Sequence, residues 1–310
     1  MYSVAARPSA QRNQRPGRSR SGLHSGPHLG LPLGLLLGLY AALVFLCTAS
    51  LWMAGDLSLG RNPWGNWLKS MAEFSRPSFV DVWFGNPRLE FRSDDGTLLR
   101  VENRQIVEAA FLAALARATW TTVQIATLGS LLGALMALPL GVLTARNLRA
   151  PAALAWAAKA VLDTCRSVHT LVFGLVLVGI VGLGPTAGIL AIALHSMGSY
   201  GKLFAEAIET LDMSAIDAVR ATGAGPGQVF FSAVWPSVAP QLVSNHLYVW
   251  EFNIRDSTIL GLIGAGGLGL LISEATSLFQ WGRLSTILLV VIGLVASFDA
   301  MSRRIRRALL

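Results

Sequence analysis

The segment Gly264-Ala265-Gly266-Gly267-Leu268-Gly269 satisfies the spacing G-x-G-x-x-G. In a dinucleotide-binding fold, glycines so placed let the backbone approach a pyrophosphate at a helix N-terminus. The apolar run 258–263 precedes it and a helix-like run follows, which is nearly the required context. The chemistry also needs an acid about twenty positions further on for the ribose; after Glu274 the next acidic residue is Asp299. The segment lies between long apolar runs that leave no room for a parallel sheet. A close-packed or re-entrant segment is the better reading, since glycine lets backbones approach closely in lipid and irregular backbone at membrane depth must be buried or line a cavity. The chain has no G-x-x-x-x-G-K-[ST] loop, and its two cysteines, Cys47 and Cys165, show no metal-binding spacing. No catalytic residue and no metal ligand is assigned.

A second constellation is a polar stripe. Gln241, Ser244, Tyr248, Glu251 and Arg255 recur at offsets of three and four, so they share one face of a helix; Asn253 and Asp256 lie close by. Ionisable groups at membrane depth are costly and must face a cavity or one another. Glu251 and Arg255 form an i,i+4 pair. The stripe reads either as a hydrophilic route or gate for a solute, together with Asp256 and the glycines Gly264, Gly266 and Gly267, or as helix–helix hydrogen bonding with an ion pair at the outer end of a span. His195 and His246 read as satisfied internal histidines.

The third constellation is the polar stretch from Glu206 to Pro240. Ser214 with Asp217 makes a Ser-x-x-Asp capping box, and Gly223 is placed to end the helix it opens. About two turns of helix are unstable alone in water, so this one must dock on something.

The elements that position these residues follow from composition. Of 310 residues, 53% are hydrophobic and only 14% charged, with a mean hydropathy of +0.54; that is the balance of a membrane protein. The net charge of +8 is concentrated in two tails, Arg7 to Arg20 and Arg303 to Arg307. Both flank apolar spans, which is the positive-inside pattern rather than a nucleic-acid surface. Residues 1–28 read as a disordered basic cytoplasmic tail in which His24 and His28 are spacers. The first span, 29–54, is a retained anchor. The region 55–116 is polar and extracytoplasmic: Trp64, Trp67 and Trp83 suit a membrane interface, and Asp95-Gly96 between short apolar runs signals a hairpin. The core domain is 117–310, with spans near 119–145, 168–184, 186–205, 230–254 and 284–302 and a cytoplasmic loop at 206–228. Six crossings put both termini inside. They also put the segment bearing Arg146, Arg149, Lys159 and Arg166 inside, and the glycine motif outside, where NAD is not expected. The fold class is all-α: a polytopic membrane protein with about six transmembrane helices.

The spacing Asp217-Ala218-Val219, Gly223, Pro236 resembles the Glu-Ala-Ala, Gly, Ile-x-Leu-Pro signature of binding-protein-dependent ABC importer permeases. Asp217 stands in the place of Glu, and Ala233 and Trp235 replace Ile and Leu. Segments 162–196, 202–212, 218–225 and 248–269 are more specifically similar to permeases of the phosphonate uptake family, over roughly residues 119–308. Arg255-Asp256-Ser257 and Val168-His169-Thr170 depart from that family's pattern, which leaves phosphonate, phosphite and hypophosphite all open as solutes.

The resemblance implies the type I ABC importer (methionine-permease-like) fold in a bacterial cytoplasmic membrane. It implies a homodimer of permease chains, two ATP-binding subunits that hold ATP and Mg, and an extracytoplasmic solute-binding protein; the chain itself carries no cofactor and is not an enzyme. It implies that Ser214, Asp217, Ala218, Arg220, Ala221, Gly223 and Pro236 couple to the ATPase: Asp217 caps and orients the docked helix, Ala218 and Ala221 keep its contact face small, Arg220 pairs with an acid on the motor, and Gly223 permits the following turn. Three rivals remain: an ABC permease for another solute such as methionine, a secondary transporter, and an oxidoreductase using the glycine motif.

Overall fold

Runs of apolar residues long enough to cross a bilayer set most of the architecture. The computed structural model describes residues 33–55, 62–84, 88–92, 98–148 and 150–309. The basic tail 1–28, the Ser93–Gly96 turn and Arg149 lie outside the described residues. The chain divides into two units, up to Pro63 and from Trp64 onward. The first contains α1 (Leu33–Ala54), a 22-residue helix without an acidic residue in its first turn or a basic one in its last, long enough at about 1.5 Å per residue to cross roughly 30 Å of hydrocarbon.

The second unit opens with α2 (Pro63–Phe74) and α3 (Ser78–Phe84). Strands β1 (Arg88–Arg92) and β2 (Leu98–Asn103) pair antiparallel, with an irregularity at Phe91/Arg92. Helices then follow: α4 (Arg104–Thr144), α5 (Ala152–Ser167), α6 (Thr170–Val181), α7 (Pro185–Glu209), α8 (Met213–Ala221), α9 (Pro226–Val229), α10 (Trp235–Leu260), α11 (Leu268–Ser277) and α12 (Trp281–Leu309). A π turn at Phe230–Val234 precedes α10, and a kinked segment, Gly261–Ala265, with Gly264 at positive φ, follows it.

Three helices, α1, α4 and α12, are individually long and apolar enough to span a membrane. Two bent pairs raise the count to five: α5 with α6, at 92°, and the run Pro226–Ala265 with α11, at 59°. The remaining expected span is α7, 25 residues long. Its Gly, Ser, His and Tyr content lowers its apolarity, but α7 is enclosed by its neighbours. A helix surrounded by other helices need not match lipid.

Two boundaries differ from the sequence expectation. The second span begins fifteen residues early, because the helix runs unbroken from Arg104, where the Asn103 side chain accepts from the Gln105 N–H at 3.0 Å. The third span, expected at 168–184, is α6, which ends at Val181, and the segment before it is itself helical. Residues 152–167, expected inside because of Lys159 and Arg166, form α5, which packs along α7.

Small residues make the core. Gly129, Gly133, Ala137 and Gly141 form a stripe along α4, all buried. A Cβ on Gly129 would come within 2.8 Å of Ile192, one on Gly133 within 2.9 Å of the Ala193 carbonyl, and one on Gly141 within 3.0 Å of Phe204. Helix α7 meets α5 in the same way: a Cβ on Gly198 would sit 2.5 Å from the Arg166 nitrogen and the Leu162 carbonyl. Without a hydrophobic drive inside lipid, such close packing is what holds helices together.

Buried hydrogen bonds then fix the register. Asn253, on α10, donates from Nδ2 to Ser130 Oγ on α4 (2.7 Å) and to Ser196 Oγ on α7 (2.9 Å), and all three residues are buried. Trp250 Nε1 donates to Thr127 Oγ1 at 3.0 Å. At the opposite end from α8, Asp81 on α3 pairs with Arg76 (2.8 Å) and Arg104 (3.1 Å), Glu108 pairs with Arg283 (3.1 Å), and Ser78 bonds to Thr286 (2.9 Å). These contacts tie the segment before the hairpin to α4 and α12.

The glycine motif is a hook between α10 and α11. Gly264, Gly266 and Gly267 have φ of 96°, 87° and 70°, values that residues with a Cβ rarely adopt. The Gly184 N–H donates to the Gly264 carbonyl at 3.0 Å, and the Leu268 N–H donates to Thr122 Oγ1 at 2.8 Å. A Cβ on Gly269 would lie 2.0 Å from the Thr258 carbonyl, and one on Gly261 2.4 Å from the Gly266 carbonyl. The close-packed reading of this motif holds, and its glycines face protein backbone and side chains.

Candidate functional site: an exposed loop helix and a polar groove

Helix α8 is a nine-residue element reached directly from α7 through Thr210-Leu211-Asp212. Its N-cap is Asp212, not Ser214. Asp212 Oδ1 accepts from the Ser214 N–H at 2.9 Å and Oδ2 from the Ser214 hydroxyl at 2.6 Å. An N-cap side chain satisfies the amides of the first turn, and aspartate does this well next to the positive end of the helix dipole. The Ser214 hydroxyl and then its amide hold the Asp212 carboxyl below its ordinary pKa. Asp217, expected to complete a capping box, instead pairs with Arg220 at 3.1 Å on the exposed surface; both are therefore engaged within the chain. Thr222 ends the helix, and Gly223 follows with φ of 81° and open space around it.

The register of α8 is set by Ile216, 2% exposed and packed with Val229 and Val234. Met213 and Val219 flank it on the half-buried side. Burying an isoleucine contributes about 1.5–3 kcal/mol, which is the main anchor of this short helix. With Ile216 inward, Ser214, Asp217, Ala218 and Ala221 fall on the exposed face. The outward surface is thus small and almost flat. Pro236 stands in the first turn of α10, where its missing N–H costs nothing.

The stripe on α10 divides in two. Gln241, Tyr248 and Arg255 are exposed, while Ser244 and Glu251 are half-buried. Asp256 is on the opposite, buried side, 6% exposed, and accepts from the Thr170 hydroxyl at 2.8 Å. It pins the start of α6. The Glu251–Arg255 pair forms at 3.0 Å, and Arg306 of α12 reaches Glu251 at 3.5 Å. The Glu251–Arg255 pair named from the sequence is present, and this contact extends it to α12.

The exposed part of the stripe borders a groove between α7 and α10. One cavity of about 590 Å³ is lined by Arg166, His195, Ser199, Lys202, Tyr248 and Phe252 among others. A second, of about 400 Å³, is lined by Glu206, Gln241 and Asn245. Leu203 lines both. His195 is satisfied as expected: its Nδ1 lies 2.8 Å from the Val168 carbonyl. A carbonyl only accepts, so Nδ1 carries the proton. His246 stacks on Tyr200 at 5.5 Å between ring centroids.

The sequence reading missed Arg166, Lys202 and Ser199 as groove residues. A signal was available. Ala158 and Leu162, four apart, are buried on α5, and Arg166, a further four along, continues their line as an exposed residue paired with Asp163.

Comparison with known proteins fits this geometry. Residues 137–310 match the family described as binding-protein-dependent transport system inner membrane component. The chain is 38% identical over 186 residues to the phosphite transport system permease protein PtxC of Stutzerimonas stutzeri, covering 60% of this chain and 68% of that protein. It is 38% identical over 188 residues to the phosphate-import permease protein PhnE of Mycolicibacterium smegmatis, covering 61% of this chain and 35% of that protein. Among solved structures, the fold is similar to a chain of the MetNI methionine ABC transporter in an inward-facing conformation, with a TM-score of 0.59, 24% identity, and coverage of 65% of this chain and 98% of that one.

Proposed function

Since the chain belongs to the family of binding-protein-dependent transport inner-membrane components, we propose that it is the membrane-spanning permease of an ATP-driven importer for phosphonates or related phosphorus oxyanions, phosphite and hypophosphite included. The observation that carries the reading is α8. It is a short helix with a flat exposed face of Ser214, Asp217, Ala218 and Ala221, joined without slack to α7, the most enclosed helix of the core. A motor subunit with a cleft for a helix can grip such an element, and its movement passes straight into the core.

In this reading two copies of the chain face each other, each presenting α8 to one ATP-binding subunit. ATP and Mg sit on those subunits. Closure of the motors moves both α8 helices and switches the spans from inward- to outward-facing. A separate binding protein delivers the solute on the side of the hook and the hairpin, and both chain termini are cytoplasmic. Gly223 permits the turn that returns the chain to α10, and Pro236 starts that helix. The solute class rests on the names of the similar permeases, which include phosphite and phosphate importers.

The test is ATPase activity of the chain reconstituted with its motor and binding protein against methylphosphonate, 2-aminoethylphosphonate, phosphite, phosphate and methionine. Stimulation by a phosphonate or phosphite is the expected result. Stimulation by methionine alone keeps the permease and discards the phosphorus solute.

A further inference from the structure

The larger cavity has a feature that a merely wet groove does not need. On α7, His195, Ser199 and Lys202 follow one another at spacings of four and three, so they share one face. Across the cavity, α5 presents Arg166 and α10 presents the Tyr248 hydroxyl. Guanidinium, ammonium and hydroxyl groups converge from three helices onto about 590 Å³. Apolar wall comes from Leu203, Val249 and Phe252.

Each cation is already answered from within its own helix. Arg166 Nε lies 3.1 Å from Asp163 Oδ1, and Lys202 Nζ lies 3.6 Å from Glu206 Oε1. All four side chains are between 41% and 56% exposed, and pairs of this kind are weak. An incoming anion can displace either carboxylate without stranding a buried charge. Arg offers a planar fork that matches two oxygens of a tetrahedral oxyanion, and Lys offers a compact point charge. His195 spends Nδ1 on the Val168 carbonyl, which leaves Nε2 as its free edge.

We infer that this cavity is a low-affinity way-station for a phosphorus oxyanion, held by Arg166 and Lys202 with Ser199 and Tyr248 as hydroxyl donors. The inference rests on the importer reading above and adds the residues that select the solute. Asp163 and Glu206 are part of the device. They make the empty site neutral and compete for its cations, so the oxyanion enters but is not trapped. A conducting site has to be favourable enough to enter and weak enough to leave.

The experiment uses the complete importer in proteoliposomes, with phosphite and 2-aminoethylphosphonate as probes, and measures solute moved per ATP hydrolysed. Arg166→Gln and Lys202→Gln are each expected to lower that ratio at least tenfold. Stimulation of ATP hydrolysis by the loaded binding protein should persist, since it reports docking and fold. Arg166→Lys and Lys202→Arg are expected to recover at least half of the ratio. Two results overturn the assignment: ratios within twofold of wild type in both Gln variants, or charge-conserving variants as defective as the Gln ones, which makes the positions structural. If wild type moves methionine but no phosphorus oxyanion, the solute reading falls and this site falls with it. If wild type moves phosphite and the Gln variants do so equally well, only the way-station falls.

Discussion

The hook at 261–269 and the helix α8 are both short, both rich in small residues, and built on opposite principles. In the hook, small residues face inward. Gly261 and Gly269 have no room for a Cβ, and the backbone there touches Thr122, Leu183 and Thr258. In α8, small residues face outward; Ala218 and Ala221 are exposed, and a single buried isoleucine, Ile216, holds the register. In the proposed importer the hook serves as the fixed point and α8 as the handle. A machine that switches between two states through rigid helices needs both, because force applied at one end of a helix moves the other end only if something is held still.

The contrast can be broken most severely at the hook. Gly269→Val puts a branched side chain where even a Cβ lies 2.0 Å from a carbonyl. Overpacking of this kind costs about 1–3 kcal/mol, occasionally more. The variant is expected to be lost from the membrane fraction or to elute as aggregate on size exclusion; a monodisperse, normally stable G269V protein would remove the fixed point. Gly223→Val is the matching change at the handle. Its surroundings are open, so only the positive φ resists. Insertion and elution should be normal while solute uptake falls by at least tenfold, and full uptake would detach the turn from coupling.

Smaller effects sharpen the division. Asn253→Ala leaves Ser130 and Ser196 without their shared donor and removes buried atoms. It should cost about 1–3 kcal/mol, read as a lowered Tm of the purified complex. Ile216→Ala should leave the Tm of the core nearly unchanged while exposing the α8 backbone to hydrogen exchange, because the lost anchor is local. The smallest effect is at Asp212. Its carboxyl titrates below the ordinary range in the folded state, so its contribution to the helix cap is complete above about pH 4, the ordinary carboxylate value, and fades as pH falls through the lowered one. Amides of α8 should therefore exchange faster in acid relative to those of α10, and Asp212→Asn, which keeps an acceptor, should remove most of that dependence.

The difference between the two regions also explains what the residues disclosed. The hook was legible because three of its glycines sit in an apolar context with no acid to serve a nucleotide; its partners Thr122 and Leu183 come from other spans and no local pattern names them. For α8 the extent and the terminal Gly223 were legible, but not the cap. Asp212 and Ser214 are two residues apart and both are good caps; the inward register of Ile216, a tertiary fact, selects Asp212. In α5, Lys159 and Arg166 interrupt the apolar run and so read as part of a cytoplasmic segment. They belong to an amphipathic helix in which Leu162 and the Arg166 backbone lie against Gly198 of α7. Glu251 with Arg306 could not be read at all, because a contact between distant segments leaves no mark in either.

The seam between α4 and α7 has a consequence in time. Its glycine stripe is complete when Thr144 has been synthesised, but its partner is complete only at Glu209. At about 5–20 residues per second, that interval is roughly 3–13 s. Throughout it, the closely fitting glycine face of α4 stands without its complement. Biogenesis of this chain has a waiting step, and whatever shields Gly129 to Gly141 during those seconds governs how much of it reaches the folded state.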